Sequence, residues 1–249
     1  MSVIVGSARI DENGNAHGGA AGDQTGKEVS TQNWYNHSKG WRVFRAKYSM
    51  GEAIAVDMQN ACNNSCIGYD QYQRDSLYKE AEKVGFDCSK VTKKCETDCS
   101  ALVRVCCAYA GIMLPNFRTT DEAKVLLNSG AFDEMQGTKY TQQSEYLRRG
   151  DILVTKTQGH TVVVLSNGKY ADMEDEPGED AKYVLVTGGT VNIRSAPGLD
   201  YQILGVVKAG RKLIYEGETV ADSRGVKWYL VEYLNQNGWI SSKYSTLII

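Results

Sequence analysis

The stretch CETDCSALVRVCCAYAG, residues 95–111, decides the fold of this chain and poses its chemical question. It holds Cys95, Cys99, Cys106 and Cys107, four of seven cysteines within thirteen positions. Residues 98–110 predict a helix, because Leu102, Val105, Cys106 and Tyr109 recur at helical spacing and mark one buried face. Thr97 or Asp98 is a natural N-cap, which leaves Cys99 in the first turn. There the unpaired backbone N–H groups and the positive end of the helix dipole favour a thiolate. Cys106 and Cys107 lie two turns deeper and read as core filler.

A thiolate nucleophile needs a base, and the chain has only three histidines. His17 lies in a glycine-rich loop and His37 in a polar stretch, and both read as solvated. His160 opens HTVVVL, a strand apolar enough to be buried, directly after a turn. That position suits either a satisfied core histidine or a catalytic base, and Cys99 in the same unit favours the base. The spacings Cys62-x3-Cys66 and Cys95-x3-Cys99 also match paired zinc ligands formally, but NNS between the first pair lacks a knuckle glycine. The reading therefore assigns no metal and no cofactor. A bridge between Cys88 and Cys95 would require an oxidising medium.

Outward from this stretch the chain divides. DMEDEPGEDA, residues 172–181, holds six acids and a Pro-Gly pair and reads as a solvated linker. Residues 1–181 carry 20 Lys and Arg against 25 Asp and Glu, and residues 182–249 carry 8 against 5. The change of sign suggests two units with different partners. Ahead of the linker, WRVFRAK alternates like a strand, while 51–61 and 71–84 read as helices. TTDEAKVLLNSG reads as a helix capped by Thr119 or Thr120, and residues 150–169 as a β-hairpin closed near Gln158-Gly159. This predicts an α+β unit over 1–171 with helices first and a sheet after. Residues 182–249 predict a small all-β barrel of five or six strands. The segment GGAAGDQTGKE at 18–28 fails as a phosphate loop, with Ala21 and Glu28 where that motif needs Gly and a hydroxyl.

Composition excludes several classes. A net charge of -2 without a basic stripe argues against nucleic acid as a partner. No apolar run approaches the ~18 residues of a spanning helix, so no stable membrane insertion is expected. The start, MSVIVGSARIDENGNAHGG, reads as lacking a signal peptide, which implies synthesis and retention in a cytosol.

TDCSALV, then RRGDILV, then GHTVVVLSNGKYAD resembles the NlpC/P60 cysteine peptidases over residues 69–172, and GYDQYQR resembles their upstream Tyr segment. TVNIRSAPGLDYQILGVVKAG with WYLVEY and GWISSKY resembles a bacterial SH3 (SH3b) cell-wall-binding domain. The first fifty residues resemble the front of endolysins from phages of clostridia and related bacteria. The resemblance implies a papain-like α+β fold, hydrolysis of amide bonds in peptidoglycan stem peptides, and release from the host cytosol through a holin pore to reach the wall. It makes Cys99 the nucleophile and His160 the base, with Asp98, Ser100 and Tyr69 binding the amino end of the substrate. The third catalytic position falls on Asp172, where the family has His, Asn or Gln, with Asn167 as a substitute. In the barrel, Tyr201 in the polar PGLDY loop is the aromatic expected to meet the wall, whereas Trp239 reads as strand core. The alternatives are a CHAP-type N-acetylmuramoyl-L-alanine amidase using the same Cys and His, a wall-binding protein with a dead catalytic unit, and a zinc-stabilised module.

Overall fold

The computed structural model describes residues 2–47, 50–157, 159–171, 182–233 and 236–248. The chain forms two compact units, Met1–Asp172 and Met173–Ile249. The linker residues 172–181 lie outside the described residues, as does Gln158.

The first unit is built on a six-stranded sheet. Its strands are β1 (Ile4–Ala8), β2 (Val29–Asn33), β3 (Trp41–Ala46), β6 (Phe132–Met135), β7 (Ile152–Thr155) and β8 (Thr161–Val164), in the order β2-β1-β8-β7-β3-β6. Every pairing is antiparallel. Alternation along the strands divides the core between two faces, as pleating requires. Phe44, Ile152, Val154 and Val163 face α1 (Met50–Cys62) and α3 (Cys99–Tyr109). Trp41, Val43, Leu153, Val162 and Val164 point to the other face, onto Tyr140 and Leu147. β8 is buried along its whole length between β1 and β7, which explains its unbroken VVV run.

This corrects the expected order of helices first and sheet after. Three strands come from the first 46 residues, and β1 lies directly beside β8. The N-terminal segment is therefore part of the central sheet rather than an extension of it. Its polar loops hid this, because β1 and β2 are only five residues each and carry Gly, Ser, Gln and Asn.

Two short parallel strands, β4 (Ile67–Tyr69) and β5 (Cys95–Thr97), pair Tyr69 with Thr97 just ahead of α3. The helix expected over 71–84 is shorter, α2 (Ser76–Glu82), because the Asp70 carboxylate accepts from the N–H groups of Tyr72 and Gln73 and holds a turn there. The helix near residue 120, α4 (Glu122–Asn128), starts after Asp121, and neither Thr119 nor Thr120 caps it. The short helix α5 (Thr138–Thr141) completes the unit.

Two contacts fix the sheet against its neighbours. Gly150 has φ +93°, and a Cβ there would stand 2.1 Å from the Gly51 carbonyl oxygen, so the turn into β7 needs glycine. The next residue, Asp151, is buried and takes a bidentate pair from Arg45, at 2.9 Å from Nε and 2.8 Å from Nη2. That pair ties β3 to the start of β7.

The second unit is an antiparallel seven-stranded sheet rather than one of five or six strands. Its strands are β9 (Tyr183–Val186), β10 (Thr190–Arg194), β11 (Ile203–Lys208), β12 (Lys212–Ala221), β13 (Lys227–Tyr233), β14 (Gln236–Ser241) and β15 (Ser245–Ile248), ordered β11-β10-β14-β13-β12-β9-β15. Its core gathers Val184, Val186, Ile193, Val231 and Ile240. Trp239 on β14 is buried, and Trp228 is buried with Nε1 donating to Asp222 at 3.1 Å.

The close seat of α1 on β1 gives a test. A Cβ on Gly6 would lie 2.8 Å from Met58 Cγ and 2.9 Å from Leu165 Cδ1. Gly6→Val is expected to destabilise the first unit by about 1–3 kcal/mol through overpacking, read as a fall in the urea midpoint.

Candidate active site

α3 begins at Cys99 because Asp98 caps it, its carboxylate accepting from Ala101 N–H at 2.7 Å. Leu102 N–H bonds the Asp98 carbonyl, so the first-turn N–H groups left over are those of Cys99 and Ser100. α3 packs across β1 and β8, which brings Cys99 to the start of β8. The backbone N–H of Thr161, the residue after His160, bonds the Cys99 sulfur, as does that of Ser100. Cys99 therefore stands against Thr161, the residue that follows His160.

The electrostatics differ from the expectation drawn from the helix terminus. Cys99 is 7 % exposed, and burial pushes its pKa well up, helped by the negative charges of Asp98 and Glu122. The two N–H groups pull the other way and lose. His160 moves down to about 4, through burial first and then His37 and Arg9. At neutral pH Cys99 is a thiol and His160 a neutral imidazole.

His160 is held by its own turn. Its N–H bonds Thr155 Oγ1 at 3.1 Å, and its carbonyl accepts from Thr155 N–H at 3.0 Å. Its Nε2 faces Ser7 Oγ on β1 at 3.5 Å. Around it opens a cleft of about 460 Å³ lined by Arg9, Ile10, Gln32, Tyr35 and His160. The Tyr35 hydroxyl bonds the Gln32 side chain and feels Cys99, while burial raises its pKa. None of these N-terminal residues was singled out from sequence. Their signal was weak, since a polar residue in a short strand carries no spacing to read. His37, read as solvated, is half-buried and stands edge-on to Trp41.

Tyr69 is buried on β4, with burial first and then Cys99 and Asp98 pushing its pKa up to about 12 against a bond from Gln71 Nε2. Asp98 and Ser100 are buried against Arg74, which the sequence reading did not name as a site residue. Arg74 Nε and Nη2 bond the two Asp98 oxygens at 2.5 and 3.2 Å, and Nη2 also reaches Ser100 Oγ at 2.9 Å and the Phe117 carbonyl at 2.6 Å. The Asp98 charge is thus answered inside the protein. Behind Cys99, Glu122 is fully buried and accepts from Thr161 Oγ1 at 2.8 Å, and burial pushes its pKa well above 4.5.

Asp172 lies outside the described residues. Its neighbour Ala171 accepts from Arg148 Nε, ahead of β7 and at the end of the hairpin opposite His160. Asn167 is also beyond that far end of β8, where its Oδ1 accepts from Arg149 N–H. Asn167 is not brought to His160 as Ser7 is. Cys106 and Cys107 are fully buried in the core of the unit. All seven cysteines are free thiols, and among the described residues no three His, Cys, Asp or Glu side chains converge as a metal set. In the second unit Tyr201 is 50 % exposed between β10 and β11, with its carbonyl accepting from Arg194 Nη1. Among the described residues no helix is long and apolar enough to cross a membrane.

Two substitutions test this cluster. Arg74→Met leaves Asp98 buried without an opposite charge and should cost on the order of 3–5 kcal/mol in chemical denaturation. Glu122→Gln should raise stability at neutral pH. A carboxyl whose folded pKa is raised contributes stability below 4.5 and loses it as pH rises, and the amide removes that loss. Denaturation midpoints from pH 4 to 8, flatter in the variant than in the wild type, are the readout.

Comparison with known families accounts for both units. Residues 5–171 match the family described as the endolysin-like domain, and residues 189–246 match the bacterial SH3 domain. No curated protein matches the chain in sequence. The first match begins inside β1, so the N-terminal strands beside His160 belong to it. The chain is a member of the endolysin-like domain family, carrying a bacterial SH3 domain after its catalytic-type unit.

Proposed function

We propose that this protein is a peptidoglycan hydrolase that cuts amide bonds of the stem peptide with Cys99 and His160, and that its SH3 unit holds it on the wall. The endolysin-like match supports a hydrolytic cell-wall enzyme, and the SH3 match supports wall binding. One observation carries the mechanism: the Cys99 sulfur, at the start of a helix, is bonded by the N–H next to His160. The catalytic unit is read as NlpC/P60-like, from a phage or prophage, with access to the wall through a holin pore.

The chemistry follows from the neutral pair. His160 takes the thiol proton as sulfur attacks the amide carbonyl carbon. The resulting oxyanion is met by the Cys99 N–H group left free by the cap. The imidazolium returns the proton to the leaving nitrogen, and water hydrolyses the thioester. Ser7 is the positioning group for the imidazole at Nε2, in the place that Asp172 or Asn167 was expected to fill. Asp98 and Ser100, bound to Arg74, are read as builders of the helix start rather than as receptors for a substrate amine. Arg9 at the cleft instead offers a cation to a carboxylate of the stem peptide.

Cys99→Ala is expected to abolish wall lysis without loss of folding, and Cys106→Ala to lower stability only. His160→Ala should match Cys99→Ala, since residues acting as one unit are not additive. Ser7→Ala should cost less in kcat and move the acid limb of kcat/KM. In the wild type that limb is expected below 6.5, toward 4, because burial keeps the imidazole neutral there. Lysis by Cys99→Ala at the wild-type rate would refute the assignment.

The amidase reading uses the same two residues and is separated by mass spectrometry of fragments released from purified walls. New amino-acid N-termini within the stem indicate an endopeptidase, and free lactyl groups on the glycan an amidase. For the wall-binding unit, residues 182–249 should sediment with host walls at low salt and less at high salt, given 8 basic against 5 acidic residues. Tyr201→Ala should weaken that sedimentation.

A further inference from the structure

We propose that Asp11, Glu12 and the Tyr69 carbonyl hold a divalent cation of the calcium class at the base of the glycine-rich loop, residues 11–28. The loop is folded by carboxylates. Glu12 Oε1 accepts from Ala20 N–H at 2.8 Å, Asp70 Oδ2 from Gly18 at 2.9 Å, Glu96 Oε1 from Gly22 at 2.7 Å and Glu28 Oε1 from Gln24 at 2.7 Å. Asp11 Oδ1 accepts from Asn13 and Asn15. Asp11, Glu28, Asp70 and Glu96 are only 1–3 % exposed. Among the described residues none of these five acids has a Lys or Arg within ion-pair distance.

Buried charges in proteins are paired with opposite charge or ligate a metal. The backbone satisfies both oxygens of Asp70 and Glu28 but only one each of the other three acids, and Asp11 Oδ2, Glu12 Oε2 and Glu96 Oε2 are buried with no protein partner. Two of them belong to adjacent residues that converge on Gly19. A Cβ at Gly19 would stand 2.7 Å from Glu12 Oε2, 2.9 Å from Asp11 Cβ and 3.4 Å from the Tyr69 carbonyl oxygen. The absence of a side chain at Gly19 lets these groups approach its backbone closely. Glu96, Glu28 and Asp70 add negative field around it, and their mutual repulsion, after burial, helps push Glu96 up to about 7.

The donors are hard oxygens without nitrogen or sulfur, which suits calcium or magnesium over zinc. Since no three acidic side chains converge, the carbonyl is the third protein ligand and water completes the shell. Such an irregular set suits calcium, because magnesium demands near-ideal octahedral geometry. The consequence reaches the cleft, because the Tyr69 ring feels Cys99 while its carbonyl faces the cation.

The test uses the full chain, stripped with EDTA and titrated with calcium chloride by calorimetry, with thermal unfolding alongside. One site per chain and a raised Tm are expected, with magnesium weaker. Glu12→Gln keeps the acceptor for Ala20 and Asp11→Asn keeps the acceptor for Asn13 and Asn15, so both should fold. Each should lose at least about tenfold in calcium affinity, as affinity follows ligand charge. Asp75→Asn, an exposed acid elsewhere, should bind as the wild type does. The proposal fails if calcium gives neither heat nor a Tm shift, or if both variants bind as tightly as the wild type. A wild-type Tm that depends on pH and ignores calcium also overturns it, since the acids would then be held neutral by protons.

Discussion

The Asp98 carboxylate is the group on which the catalytic unit turns. It starts α3 by accepting from Ala101, and so sets the turn in which Cys99 stands. In its buried place Arg74 takes both of its oxygens. A cap of this kind is worth about 1 kcal/mol. Its anion also opposes the helix dipole at the neighbouring thiol, and with burial it keeps Cys99 protonated. One interaction thus places the Cys99 thiol and helps set its resting charge. A neutral thiol is less open to oxidation than an exposed thiolate, since susceptibility follows thiolate character and exposure.

The other half of the cleft comes from the opposite end of the chain. β1 joins β8 in the sheet, and with it come Ser7, Arg9 and Ile10, while Gln32 and Tyr35 arrive from β2 and the residues after it. Pairing of β1 with β8 closes a loop of some 150 residues. The cleft therefore forms only when the whole unit has folded, because long-range pairing is costly until its contacts are made. The carboxylate-rich loop lies between these strands in sequence and bonds back to Tyr69, so both walls of the site share a support.

What was legible in the sequence was what has a period or a punctuation mark. α3 with a cap at Thr97 or Asp98, the β7–β8 hairpin and the buried Cys106 and Cys107 followed from spacing and turn residues alone. β1 and β2 were not legible, because a five-residue strand with glycine and polar residues looks like loop until its partner is known. Arg74 was hidden for a related reason. A charge in a polar run reads as solvated, and only the fold brings Asp98 to it from 24 residues away. The side chain that faces His160 Nε2, Ser7, stands 153 residues upstream in the chain, where no downstream spacing points.

Burial without matching charge recurs through the unit, and its sign is the same each time. Asp57 beside Cys88 is raised to about 6 and Glu96 to about 7, in both cases through burial first. Each contributes stability below its unfolded value near 4 to 4.5, and loses it as pH rises to 6 or 7. His160 runs in the opposite direction. Lowered to about 4, it favours the fold above 6.5 and costs stability as pH falls between the two values. The acids therefore oppose the histidine between about pH 4 and 7. An imidazole kept neutral and acids kept partly protonated are two results of one constraint, the removal of titratable groups from water.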